Sequence, residues 1–337
     1  MDRVAPPASA VTDFAGWLPI RLFVDGGTLW VDWCYRGDTR FTAPFFQDDV
    51  QRLLRAPFNM AYRRYTPISD LVNWAETATR GSHHAPLKVL IAHASRCGST
   101  LLSQMLAHQP THVVMSEPPL LDTLVGIRAR LPEVTHAQHL TWLRALVFAL
   151  GQTPANETHL VIKLDAWHVL QHELLRAAFP EVPWLFIYRD PIEIAVSQLE
   201  QRASYMVPGM VTAMSAQTPT ADAIAMGADS YIATVLGKIF SAGASVCSGT
   251  GAQPLNYAAL PQAVWGKLRP LLGLDDDAVT ATALRATATR DAKAPSLTFA
   301  ADTERKQRKA TASLRAAVLM HCQGSYNHLL QLSRTSQ

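Results

Sequence analysis

Between residues 95 and 100 the chain reads Ser-Arg-Cys-Gly-Ser-Thr, which sets an arginine, a glycine and three hydroxyls within six positions. The apolar run KVLIAHA precedes this segment, and LLSQMLAHQ follows it with Leu102, Met105 and Leu106 at helical spacing. A loop joining a buried strand to a helix offers unpaired backbone N–H groups and the positive end of the helix dipole, a combination that binds anions. Gly98 lets the backbone approach such an anion closely, and Ser99 and Thr100 add hydroxyl donors. An ATP-binding phosphate loop needs a lysine just before its serine or threonine, and here that position is Gly98. Taken alone, the segment is either an anion-binding loop or a glycine turn that only redirects the chain.

Arg189 ends a second apolar run, VPWLFIYRD, and Ser197 lies eight positions later in the helical stretch IEIAVSQLEQR. Arginine presents a planar donor fork that suits phosphate, and serine adds a directional hydroxyl. The plainer alternative pairs Arg189 with Asp190 or Glu193 and leaves Ser197 as an ordinary helix serine. Glu117, in MSEPP, stands twenty-one positions after Arg96, beyond a helix and the next expected strand, where a parallel sheet returns the chain to the edge of the loop. A carboxylate there can take a proton from an attacking hydroxyl; the alternative is a helix-capping or exposed glutamate before two prolines. Lys163, in VIKLDAWH, ends a further apolar run. A lysine buried at such a point must meet an anion, expected here to be a transferred group, unless it snorkels outward. Asp165 and His168 follow it as further candidate bases.

These residues need a frame. Strand-like runs at 87–94, near 159–165 and at 183–189 alternate with helical stretches around 167–179 and 193–202, which predicts an α/β fold with a central parallel sheet flanked by helices. A short run near 252–257 adds one more strand. Residues 1–85 read as a separate element: Gly26-Gly27 precedes an alternating segment from Thr28 to Tyr35, a helix is expected over 47–54, and the polar break at 80–84 marks a boundary with a main domain spanning 86–337. Trp17, Trp33 and Phe46 in this element are core or pocket residues. The stretch 207–251, rich in Ala, Met, Ser and Thr, is expected to be helical and to carry no chemistry.

Composition narrows the function. The chain has 337 residues, of which 48% are hydrophobic, and a formal net charge of +3. That mild excess suits a small anionic ligand and falls far short of a nucleic-acid surface. Cys34, Cys97, Cys247 and Cys322 show no paired spacing, and the histidines form no metal-binding pattern, so neither a disulfide framework nor a metal is expected. With no signal-like N-terminus and no uninterrupted apolar stretch of membrane-span length, the expected location is cytoplasmic, without a membrane partner. No heptad pattern bears on oligomeric state.

Together, SRCGSTLL and the Arg189/Ser197 pair resemble the donor-binding motifs of the sulfotransferases that use 3'-phosphoadenosine-5'-phosphosulfate (PAPS). The first motif of that P-loop family is commonly written P-[KR]-[ST]-G-[ST]-T, and an arginine at the position of Arg96 is most similar to the tyrosylprotein and bacterial branch. The resemblance implies a P-loop three-layer fold and metal-independent in-line transfer of a sulfuryl group from PAPS to a hydroxyl on a small molecule or peptide, with 3'-phosphoadenosine 5'-phosphate as product. It implies that Arg96, Cys97, Gly98, Ser99 and Thr100 hold the 5' end, with Arg96 acting on the bridging oxygen. Arg189 and Ser197 would hold the 3'-phosphate. Tyr257, in PLNYAALPQ, would lie beside the adenine, and Lys293, in TRDAKAPS, would reach a phosphate from a closing loop. Glu117 would be the base. The cytosolic branch places a histidine base where this chain has Asp165. Two other readings stay open: a P-loop small-molecule kinase, and a non-catalytic module binding PAPS or its product.

Overall fold

The computed structural model describes residues 13–78, 84–153, 155, 157–211, 218–249, 251–290, 292 and 302–335. Five parallel strands form the main sheet: β4 (Leu87–His93), β5 (His112–Ser116), β6 (His159–Lys163), β7 (Trp184–Tyr188) and β8 (Gln253–Asn256), in the order β5-β6-β4-β7-β8. Residues buried on both sides explain why β7 reads as an unbroken apolar run rather than an alternating one. Because every strand is parallel, all five carboxyl ends meet at one edge. Ser95–Thr100, Glu117, Asp165, Arg189 and Tyr257 each follow one of those ends within a few residues.

Helices flank the sheet. Ser99–Ala107 packs on β5, and Ala312–Thr335 packs on β8 and on Pro191–Glu200. The longest contact joins Ala312–Thr335 to Ala228–Gly249. Gly243 allows the second of these to lie close to the sheet, since a Cβ there would fall 2.2 Å from the Phe186 ring. By length and composition Ala228–Gly249 would suffice to cross a bilayer; in this fold most of it is buried against neighbouring elements.

The smaller sheet is antiparallel, β1 (Trp17–Asp25), β2 (Thr28–Tyr35) and β3 (Arg64–Pro67) in that order. Gly26 and Gly27, with φ of 56° and 75°, form the two-residue turn between β1 and β2, a conformation that needs left-handed backbone at both positions. Trp33 is fully buried, stacked on Phe14 at 4.0 Å between ring centroids and donating from Nε1 to Thr66 Oγ1 at 3.1 Å. Phe46 is also core, whereas Trp17 joins a half-exposed cluster with Tyr35, Phe58 and Tyr62. The hydrophobic core is continuous from this sheet into the larger one, and Arg36 and Arg40 reach across to the Gln152 carbonyl and the Glu157 carboxylate.

Two helix boundaries differ from expectation. The helix after β7 runs Pro191–Glu200, because Asp190 caps it, accepting from Ile192 N at 2.8 Å, and Pro191 suits its first position. The expected helix over 167–179 is a 3-10 turn, Ala166–Gln171, followed by the α-helix His172–Ala178. Asp165 and His168 close the start of that turn by reciprocal side-chain to backbone bonds.

Candidate functional site

The carboxyl edge of the main sheet encloses a cavity of about 680 Å³. Its wall includes the whole loop from Ser95 to Thr100, Glu117, Asp165, Arg189, Ser197 and Tyr257. Lys293 lies outside the described residues.

The loop is shaped for an anion. Ser95, Arg96 and Gly98 adopt left-handed backbone, with φ of 68°, 45° and 86°. Such turns aim successive N–H groups into one hollow. Gly98 is also the N-cap of Ser99–Ala107, so no side chain closes the first turn. A Cβ on Gly98 would sit 2.7 Å from Tyr257 Cδ2, which makes glycine necessary for the approach of the Tyr257 ring as well as for the φ. Cys97 offers the cavity only its backbone: its thiol donates to the Ile187 carbonyl at 3.1 Å, and burial pushes its pKa up to about 12. Arg96 lines the cavity with its guanidinium tied to Gln201, 2.7 Å from the carbonyl oxygen.

Lys163 departs from expectation. Its side chain is fully buried and absent from the cavity wall, and the anion it meets is Glu117 rather than an open site, with Nζ 2.9 Å from Oε1. Thr100 Oγ1 at 3.3 Å and the Phe45 ring at 4.9 Å complete its surroundings. An ammonium buried this deeply needs its counter-charge close at hand, and Glu117 provides it. The same Oε1 stands 3.4 Å from Nε2 of His93, whose Nδ1 accepts the Ser95 N–H at 3.0 Å. Burial alone would raise the Glu117 pKa, but the Lys163 charge and His93 outweigh it and hold the carboxylate well below its usual range. Burial lowers the His93 pKa against the opposing pull of Glu117. The sequence singles out no role for His93, a polar residue ending an apolar strand with no metal-binding pattern around it.

Asp165 is partly buried on the cavity wall, where its carboxylate accepts the Ala166 N–H at 2.6 Å. Burial, and next the Glu117 charge, raise its pKa to about 7. His168 sits behind it, off the wall, with Nε2 2.8 Å from Asp122 Oδ1.

At the other end of the cavity Arg189 is buried and already engaged. It contacts Glu193 through Nε at 2.5 Å and Asp302 through Nη2 at 2.8 Å, with its guanidinium 4.3 Å over the Tyr257 ring. The Glu193 contact is the plainer alternative for Arg189, and the Asp302 contact carries no signal in the sequence. Burial disfavours the Arg189 charge, but these carboxylates outweigh it and raise the pKa. Asp302 also binds Lys306 Nζ at 2.5 Å, a lysine that is itself buried. Ser197 Oγ donates to the Glu193 carbonyl at 2.8 Å within its own helix. Arg290, Arg305 and Lys306 add further cations to the wall. Arg290 belongs to the segment TRDAKAPS, whereas the polar run TERKQRK carries no signal for Arg305 and Lys306. Among the described residues no group of His, Cys, Asp or Glu is arranged to hold a metal ion.

Three solved structures are similar to this chain. The "Sulfotransferase Domain from the Curacin Biosynthetic Pathway" is 15% identical with a TM-score of 0.42, covering 74% of this chain and 98% of that one. The "Sulfotransferase Domain from the Synechococcus PCC 7002 Olefin Synthase" is 17% identical with a TM-score of 0.36, covering 76% and 97%. Sulfotransferase STF9 from Mycobacterium avium is 13% identical with a TM-score of 0.42, covering 77% and 78%. No protein-family model matches the chain, and neither does any curated protein.

Proposed function

We propose that this protein is a sulfotransferase that takes its sulfuryl group from PAPS and passes it to a hydroxyl acceptor. The observation that carries the reading is the convergence, on one cavity, of the left-handed loop Ser95–Gly98, the uncapped start of Ser99–Ala107, and Arg189 stacked on Tyr257 at the neighbouring strand ends. Two anion-binding points separated by an aromatic face suit a nucleotide with phosphates at both 5' and 3' positions. When bound, the donor supplies a sulfuryl group on a phosphosulfate anhydride. The loop N–H groups and Arg96 face the charge that grows on the leaving phosphate, and Arg189 and Tyr257 orient the nucleoside. Asp302 holds the Arg189 fork and would be displaced by a 3'-phosphate, which Lys306 could then share. A carboxylate on the cavity wall takes the acceptor's proton.

Calorimetric titration with 3'-phosphoadenosine 5'-phosphate, against ATP and 5'-AMP, tests the reading. Binding of the bisphosphate in preference to both controls, lost in Arg189→Ala, is expected. Equal binding of ATP, or no binding, removes it.

A further inference from the structure

We propose that Asp165, not Glu117, accepts the proton of the attacking hydroxyl, and that Glu117 stays ionised as a fixed counter-charge of Lys163. The proposal rests on the sulfotransferase reading and concerns the same cavity.

Two carboxylates follow neighbouring strands, Glu117 after β5 and Asp165 after β6, and both line the cavity. Their partners differ. The Glu117 oxygen nearest Lys163 serves an ammonium at 2.9 Å and an imidazole at 3.4 Å, so a proton arriving on Glu117 would break a buried ion pair and leave Lys163 uncompensated. Asp165 joins no ion pair among the described residues; its contacts are backbone N–H groups at the start of a 3-10 turn. A carboxylate has about four lone-pair positions, so these contacts leave room for a proton.

The charged and titratable groups facing Asp165 are Glu117 from the end of β5, Asp122 from the helix Pro119–Val125, His168 from its own turn, and the Tyr205 hydroxyl from the 3-10 turn Ser204–Met206. Burial raises the proton affinity of Asp165 most, and the Glu117 charge and then Asp122 add to it against the opposing His168, which places it near neutrality, where a base is most effective. Glu117 is therefore a positioning residue that tunes Asp165 through space. In the transfer, the acceptor oxygen forms a bond to sulfur, the bond from sulfur to the phosphate oxygen breaks with its electron pair leaving on the phosphate, and the hydroxyl proton passes to Asp165 and then to solvent.

The experiment combines two readouts on wild type, Asp165→Asn and Glu117→Gln. Carbon-13 NMR of protein labelled at aspartate Cγ, saturated with 3'-phosphoadenosine 5'-phosphate, follows the Asp165 carboxyl, identified by the signal missing in Asp165→Asn. Release of labelled sulfate from PAPS, with water as acceptor, gives a rate that needs no known alcohol. The Asp165 signal is expected to titrate near 7 and to move lower in Glu117→Gln. The wild-type rate should fall about tenfold per pH unit below that point. Asp165→Asn should lose about a hundredfold and the acid limb with it, whereas Glu117→Gln should keep a limb shifted to lower pH. If Glu117→Gln does not fold, Glu117→Gln/Lys163→Met, which removes the pair as a unit, replaces it. An acid limb that survives in Asp165→Asn and vanishes without Glu117 overturns the proposal, as does an Asp165 signal that titrates in the ordinary carboxylate range. A protein that binds the bisphosphate but loses nothing in Asp165→Asn refutes the proposal alone. One that neither binds it nor releases sulfate refutes the donor reading and, with it, the proposal.

Discussion

Replacing Glu117 by Gln leaves the Lys163 ammonium fully buried, with Thr100 Oγ1 at 3.3 Å, the Phe45 ring and a neutral amide as its surroundings. Removing one partner of a buried pair costs roughly 3–5 kcal/mol, because the other charge remains out of water. For a chain of 337 residues that corresponds to a fall in Tm of about 4–7 °C. Lys163→Met should cost a similar amount by stranding Glu117, less what that residue recovers from its partial exposure. The double variant Glu117→Gln/Lys163→Met removes both charges and should be more stable than the sum of the singles by about 2 kcal/mol or more. Denaturant titration at pH 7 on all four proteins closes the cycle, with unchanged m-values as the check that the same transition is measured. Additivity to within about 0.5 kcal/mol would mean that the 2.9 Å contact does not hold Lys163 in the core, and the assignment of Glu117 as its counter-charge would fall.

Asp302→Asn removes the carboxylate that holds Arg189 and should tighten bisphosphate binding by about three- to tenfold in calorimetry, while Lys306→Ala should weaken it. Gly98→Ala forces a side chain into φ 86° and against Tyr257, so it should lower stability by about 1–2 kcal/mol and weaken nucleotide binding far more than its volume suggests. Asp165 carries a raised pKa in the folded state, so its contribution is greatest in acid and is lost as pH rises from its unfolded value, about 4, to about 7. Accordingly Asp165→Asn should gain stability relative to wild type as pH rises from about 4 to about 7 and hold that gain above it, measured by thermal denaturation at each pH.

Much of the frame was legible because parallel strands buried on both faces leave unbroken apolar runs, and because a loop such as Ser95 to Thr100 falls between a run of that kind and a helix. The strand-end positions of Glu117, Lys163 and Arg189 followed from the same grammar. What each side chain touches did not, since partners separated by tens of residues are chosen by strand order: β6 lies between β4 and β5, which sets Lys163 beside Glu117. Asp302 and Lys306 gave no signal because a short, charged helix looks the same whether it is solvated or folded over a buried arginine. His93 was discounted for lacking a metal pattern, although its role is to bond the loop backbone and stand beside a carboxylate.

Ser95, Arg96 and Glu117 all hold left-handed backbone without being glycine, each at a cost of about 1–2 kcal/mol. Heat selection applied to a randomised library of this chain, with no demand for activity, should therefore enrich glycine at 95 and 96, where relief of backbone strain outweighs the contacts with Gln198 and Gln201 given up, and should retain Glu117, whose carboxylate compensates the buried Lys163. The clones that best survive heating would thus be depleted in the side chains that face the cavity, and positions drifting to glycine in such an experiment would mark the functional edge of the sheet without any knowledge of the substrate.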